Sequence, residues 1–329
     1  MILAGDVGGT KTYLAVYSDE AHLRTPLAEE KVASDDFPSA NALLADFIRR
    51  HPLPIDCVVV GVPGAVVNGR VKGTNIPWVV DERELVAELG LRAAYVLNDL
   101  QAIAYGVPLL GPEDLCVLNA GQPQVHAPIA VLAPGTGLGE GYLTWDGARY
   151  RAHPSEGGHT DFAPLDELQV GLLRYLGRRY AHVSYERACS GLAIPDIHAY
   201  LRDSGQAKEP TWLAERLAAA EDPTPVIMNA AQDPNVDCAL CRTTLDIFCQ
   251  VLAAEAGNMA CKYLPWSGVF IAGGIPPRIL PALQTERFLR TYAAKGRMQA
   301  VVERIPLYVV LNTTVGVLGG AAYAFSHLS

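Results

Sequence analysis

Across 329 residues the chain is half hydrophobic and carries a formal net charge of −9 at pH 7. That length predicts two domains, or one duplicated core, with a substantial apolar interior, and the acidic balance argues against nucleic acid or an anionic membrane as the main partner. No stretch approaches the ~18 consecutive apolar residues of a membrane span, and the opening MILAGD lacks the basic lead and apolar run of a signal peptide, so the expected location is the cytoplasm.

Taken in chain order, MILAG and TYLAVYS read as two strands joined by a glycine turn. SANALLADFIRRH is an amphipathic helix capped by Ser39. IDCVVVGVPG is a continuous β-branched run, the pattern of a buried central strand. DERELVAELG reads as a helix with Asp81 as cap and Gly90 as stop. AAYVLND is a further strand and LQAIAYG the helix after it, so the first third predicts a mixed sheet with crossover helices.

LAPGTGLGEGYLTW repeats the opening as strand, glycine turn, strand. At one constant offset Leu3, Ala4, Gly8, Tyr13 and Leu14 meet Leu132, Ala133, Gly137, Tyr142 and Leu143, which suggests a duplicated core. From Leu165 the pattern turns helical through LDELQVGLLRYLGRRY, YERACSG and IPDIHAYLRDSG, then a long amphipathic run from about Val236 to Leu264. GVFIAGGIPPRIL is strand, glycine turn, helix, and IPLYVVLN is a late strand. The last helix, from Val315 to about Phe325, holds Gly316, Gly319 and Gly320. Each costs roughly 1 kcal/mol against alanine in a helix interior, so close backbone packing is expected there. Of the seven cysteines, CALC is the nearest to a metal half-site, but no second close pair of Cys or His follows it. Cys238, Cys241 and Cys249 share one face at helical period and read as core residues.

The opening turn is neither a Walker loop nor a dinucleotide fingerprint, because both need a helix after the glycines and here a strand follows. It is a hairpin turn, running to Lys11, that exposes backbone N–H groups of Gly8, Gly9 and Thr10. Consecutive N–H groups form an anion nest, and glycine lets a phosphate approach closely. Asp6, at the strand end, suits Mg²⁺, which takes carboxylates through water and bridges phosphate oxygens. An ordinary Gly-Gly hairpin is the alternative for this turn alone. PGTGLGEG offers a second such turn with Gly135, Thr136 and Gly137, and Gly273-Gly274 is a third glycine element between strand and helix. Together the three suit one nucleotide, with phosphates on the hairpins and adenosine against the third.

GDVGGTK, LNDLQAIAYG, APGTGLG, SEGGHTDFAP, HVSYERACSG and FIAGGI occur in this order between Gly5 and the final glycine-rich helix. In that combination the chain resembles the bacterial glucokinase family, within the hexokinase, actin and heat-shock ATPase superfamily. The resemblance implies an α/β fold of two actin-like (ribonuclease H-like) domains of mixed sheets with helices, and a ligand cleft between them. It implies a small domain over 1–108 plus 314–329 and a large one over 109–313. It further implies ATP and Mg²⁺ as cofactors, D-glucose phosphorylated at the 6-hydroxyl, and a homodimer, which is common among such kinases.

By that resemblance Asp99 is the catalytic base facing the 6-hydroxyl and Asn98 holds a neighbouring hydroxyl. Both stand at a strand end, where open sheets place ligands. Glu156, His159, Glu186 and Asn75 are implied as further sugar contacts; carboxylates suit vicinal diols because they accept from two hydroxyls at once. Read from the residues alone, each has a plainer alternative. Asp99 could cap the following helix, Glu156 could be solvated, and His159 could be a core residue. Glu186 could be first-turn charge on a short helix, and Asn75 a turn asparagine. A related repressor-and-sugar-kinase group shares the opening motif and EGGH but carries a cysteine-rich zinc segment after its histidine; TDFAPLDELQVGLL here has no cysteine, which favours the zinc-free branch. A kinase for fructose, mannose or an amino sugar is the second enzyme reading. A sugar-sensing regulator is the third; the phosphate turn starting at Gly5 leaves no room for a preceding DNA-binding domain.

Overall fold

Alternating apolar runs around the first glycine turn fold as a hairpin, β1 (Ile2–Val7) antiparallel to β2 (Lys11–Tyr17), with Val7 opposite Thr12. The computed structural model describes residues 1–74 and 76–328. The chain divides into two compact units, one of Met1–Asp114, Leu143–Pro154 and Asn312–Ser329, the other of Leu115–Tyr142 and Ser155–Leu311.

In the first unit β3 (Ala28–Ala33), β4 (Cys57–Val62), a short antiparallel pair β5 (Arg70–Lys72) and β6 (Val79–Asp81), and β7 (Ala93–Asn98) follow. The five-stranded sheet has the order β3-β2-β1-β4-β7, antiparallel on the hairpin side and parallel from β1 through β4 to β7. β4 is buried at every position, as its unbroken β-branched run requires, because both faces of this sheet are covered. Leu3, Leu14, Val58 and Val60 pack with Leu43, Leu44 and Phe47 of the helix Ala40–Arg50 on one face. Ala4, Val59 and Leu97 pack with Ala102, Val317 and Leu318 on the other. Local signals hold at the helix ends: Ser39 and Asp81 accept first-turn N–H groups, and Gly90 stops its helix at φ 66°.

The helix Val315–Leu328 lies against the helix Asp99–Gly106 with almost no side chain between them. A Cβ on Gly319 would collide with the Ala102 carbonyl and the Gly106 nitrogen, and one on Gly106 with the Val315 carbonyl. The helical cost of these glycines is therefore offset by backbone approach.

The second sheet contains β8 (Leu115–Asn119), β9 (Ile129–Pro134), β10 (Leu138–Trp145), β11 (Tyr150–Ser155), β12 (Gly268–Ile271) and β13 (Leu307–Val310), in the order β11-β10-β9-β12-β13-β8. β9, β12 and β13 are parallel and β8 closes the edge antiparallel. The long run near residue 240 becomes the helix Ala239–Tyr263, buried almost all round rather than on one face. The helices Ala193–Asp203, Pro223–Gln232 and Glu286–Ala293 pack around it, which leaves it little solvent side. Cys238, Cys241 and Cys249 are all buried there as core residues, and Cys238 also caps the helix, its sulfur accepting the Cys241 N–H at 3.4 Å. YERACSG, expected to be helical, forms turns instead, because its backbone pairs with the segment after Gly157. Among the described residues no helix is long and apolar enough to cross a membrane.

Candidate active site

In the first unit the turn between β1 and β2 is built by backbone and braced from β3. The Gly8 N–H donates to the Lys11 carbonyl at 3.1 Å, and the Ser34 N–H to the Thr10 carbonyl at 3.0 Å. The fully buried Ser34 hydroxyl donates to the Gly8 carbonyl at 2.7 Å and lies 3.0 Å from the Thr12 hydroxyl. The N–H groups of Gly9 and Thr10 take no part in these bonds. Ser34 is a positioning residue that sequence reasoning missed: only the register of β2 on β3, with Lys11 opposite Ala33, brings it to the turn.

Asp6 is the last residue but one of β1, half-buried, opposite Gly61 on one side and Tyr13 on the other. Burial first, then the Asp99 charge, pushes its carboxyl up to about 6, with Lys31 opposing. Its carboxylate also lies beside Gly316 in the first turn of the last helix, where a Cβ would stand 3.6 Å away. Among the described residues no three His, Cys, Asp or Glu side chains gather to hold a metal. Asp6, with Asp99 near enough for its charge to be felt, offers carboxylates of the kind that would suit Mg²⁺, which takes one or two of them with water and phosphate.

At the end of β7 it is Asn98, not Asp99, that caps the helix: its side-chain oxygen accepts from Leu100 N at 3.0 Å and Gln101 N at 3.3 Å. Its amide donates to the Gly64 carbonyl at 3.0 Å and keeps a second N–H. Asp99 is the first helical residue, and its Oδ1 accepts from Leu100 N at 2.9 Å. Asn75 lies outside the described residues.

In the second unit the turn between β9 and β10 is closed by Gly135 N–H on the Gly137 carbonyl at 2.9 Å. The Gly191 N–H braces it from outside on the Gly135 carbonyl at 2.7 Å. Thr136 is exposed, and its N–H and that of Gly137 take no part in these bonds. Gly273, at φ 90°, packs on Pro134 so closely that a Cβ would stand 2.7 Å from the Pro134 carbonyl, while Gly274 faces open space. The second and third glycine elements are therefore neighbours.

Glu156, His159 and Glu186 are also brought together. Phe162 N–H bonds the Val183 carbonyl at 3.0 Å, Tyr185 N–H the Thr160 carbonyl at 3.0 Å and Glu186 N–H the Gly158 carbonyl at 2.9 Å. Glu156 Oε2 and His159 Nε2 are 3.8 Å apart, with side chains 77% and 61% exposed, so His159 is not a core residue. Glu186 is not on a helix; its Oε2 accepts the Leu138 N–H at 3.0 Å, tying it to the second glycine turn.

The Glucokinase family model matches residues 3–327. The chain belongs to the glucokinase family. It is 39% identical to a glucokinase of Nostoc punctiforme over 98% of each chain. A solved glucokinase from an Antarctic psychrotroph superposes with a TM-score of 0.81 at 29% identity, over 98% of each chain. The glucokinase from Balamuthia mandrillaris, solved in complex with glucose, gives a TM-score of 0.81 at 21% identity, over 99% of this chain and 93% of that one, a likeness of fold alone. The α/β class with mixed sheets expected from the sequence is thus the glucokinase fold.

Proposed function

We propose that the chain transfers the terminal phosphoryl group of ATP to the 6-hydroxyl of D-glucose, the first step of glycolysis, in the cytoplasm and as a homodimer. The match to the glucokinase family over residues 3–327 carries this reading, and it makes the chain a sugar kinase, a transferase.

Asp99 is the base in this reading. What supports it is its place directly after β7, in the first turn of the helix, where Asn98 makes the two capping bonds and Asp99 shares the Leu100 N–H with it. An aspartate is a weak base for an alcohol, but phosphoryl transfer runs through a loose transition state in which the proton leaves late. Most of the rate enhancement then comes from holding the hydroxyl in line and from fixed dipoles around the phosphates. The N–H groups of Gly9, Thr10, Thr136 and Gly137 suit that second task, with Gly8, Lys11 and Gly135 shaping the turns and Gly273 and Gly274 against the nucleoside. Asn98, Glu156, His159 and Glu186 bind the sugar hydroxyls; the side-by-side bonding of their segments supports the last three. Mg²⁺, held through Asp6, would neutralise phosphate charge.

The test is glucose-dependent ADP release with ATP and Mg²⁺, run beside fructose, mannose and N-acetylglucosamine, with light scattering for the dimer. Release with glucose alone is expected. Release with another sugar instead would move the substrate, and none with any sugar would remove the kinase reading.

A further inference from the structure

Behind the turn that carries Glu156 and His159 lies a buried polar network in the second unit. Glu140, on β10, is 2% exposed and its Oε1 has no hydrogen-bond partner. Its carboxyl group lies directly under Gly157: a Cβ there would collide with Oε2 and stand 2.9 Å from Cδ. Gly158 is pressed as closely on the Leu138 carbonyl. The two glycines of the turn are thus the residues that let it seat on β10, and the Glu140 carboxyl is part of the seat.

The cation facing Glu140, Lys262, is hydrogen-bonded to a second carboxylate. From the helix Ala239–Tyr263 comes Glu255, fully buried, whose oxygens accept from Lys262 at 3.1 Å and from Asn258 at 2.7 Å. Asn258 also donates to the Tyr185 hydroxyl at 2.9 Å and accepts from Lys295 at 2.6 Å. Lys262 therefore makes its hydrogen bond to Glu255, while its charge is also felt at Glu140. The thiol of Cys189, pushed up by burial, and the neutral Ser155 hydroxyl beside Gly157 complete the surroundings. Burial, then the Glu255 charge, pushes the Glu140 carboxyl up to about 8, with Lys262 opposing.

We propose that Glu140 is a positioning residue for sugar binding: as a neutral acid it seats the Glu156–His159 turn, and its ionisation unseats that turn. An ionised Glu140 would put an unsolvated charge with a bare oxygen beside the Glu255 carboxylate. Moving the turn off to admit water relieves that, and takes Glu156 and His159 out of register with Glu186. The device acts on sugar affinity and leaves the saturated rate alone, because bound sugar selects the seated, protonated form. It rests on the reading of Glu156, His159 and Glu186 as sugar contacts.

Calorimetric titration of the whole protein with glucose tests it without a variant. Between pH 7 and pH 9 the dissociation constant should rise about tenfold, and at pH 9 binding should take up close to one proton, seen as a heat that depends on the buffer's ionisation enthalpy. Steady-state glucose KM should follow the same rise while kcat at saturating glucose does not. Glu140→Gln keeps the shape without the proton, and its affinity should be flat over that range. Binding without proton uptake, or an alkaline rise that persists in Glu140→Gln, would overturn the positioning role while leaving the sugar site standing. No glucose binding at any pH would overturn both.

Discussion

Asn98 and Asp99 divide one helix end between them. Asn98 takes the capping bonds at 3.0 and 3.3 Å, so replacing Asp99 should spare the fold. Asp99→Asn should bind glucose close to normally and lose about 10²- to 10⁴-fold in turnover, the usual worth of a general base; near-normal single-turnover rates would remove Asp99 from that role. Ser34 makes a different case. Ser34→Ala deletes the donor to the Gly8 carbonyl and the partner of the Thr12 hydroxyl, both in a buried spot. The loosened turn should raise the KM for ATP roughly tenfold, with glucose KM little changed. Equal changes in both would mean that Ser34 supports the fold and not the phosphate turn. The place of Asp99 at a strand–helix junction was legible because a strand end followed by a helix is a local pattern. Ser34 and Glu140 were not, because each acts on a turn that only strand register brings near.

The same division between local and distant causes holds for whole elements. Glycine usually weakens a helix, so Gly→Ala in a helix interior stabilises by up to about 1 kcal/mol. In the helix Val315–Leu328 two neighbours should answer oppositely. At Gly320 a Cβ would stand 3.6 Å from Val59, ordinary contact, whereas at Gly319 it would collide with the backbone of Ala102 and Gly106. Gly320→Ala should be neutral or stabilising, and Gly319→Ala should destabilise by about 1–3 kcal/mol, as overpacking does. Urea unfolding of the two variants measures the difference, and equal midpoints would mean that the helices separate at no cost. Glycines in a helix thus announced close packing from sequence, as the Ser39 and Asp81 caps announced helix starts. YERACSG misled for the opposite reason: its spacing allowed a helix, but the N–H groups of Tyr185 and Glu186 bond the Thr160 and Gly158 carbonyls. The helix Ala239–Tyr263 likewise looked amphipathic until its neighbours covered it.

For the whole molecule, two buried groups give stability opposing dependences on pH. Glu140 keeps its proton in the folded chain up to about 8, against 4.5 ordinarily. The folded state binds the extra proton between those values, so stability falls as pH rises from 4.5 to 8. His198 is the reverse. It stands 3.6 Å from Glu209, and burial, then Arg202, lowers it to about 4 from 6.5, with Asp203 opposing. The folded state prefers it neutral, so stability is lost as pH falls from 6.5 towards 4. Each proton is worth up to about 1.4 kcal/mol per pH unit. Between pH 4.5 and 6.5 the two slopes oppose; above 6.5 only that of Glu140 remains. Measured by urea midpoints, the native chain should therefore fall by up to ~2 kcal/mol relative to Glu140→Gln between pH 6.5 and 8. The variant, with His198 acting alone of this pair, should gain stability from pH 4.5 to 6.5 more steeply than the native chain. Parallel curves over the whole range would mean that Glu140 is already ionised in the folded chain, and the turn above it would then be resting on a charge faced by Lys262, which is itself bonded to Glu255.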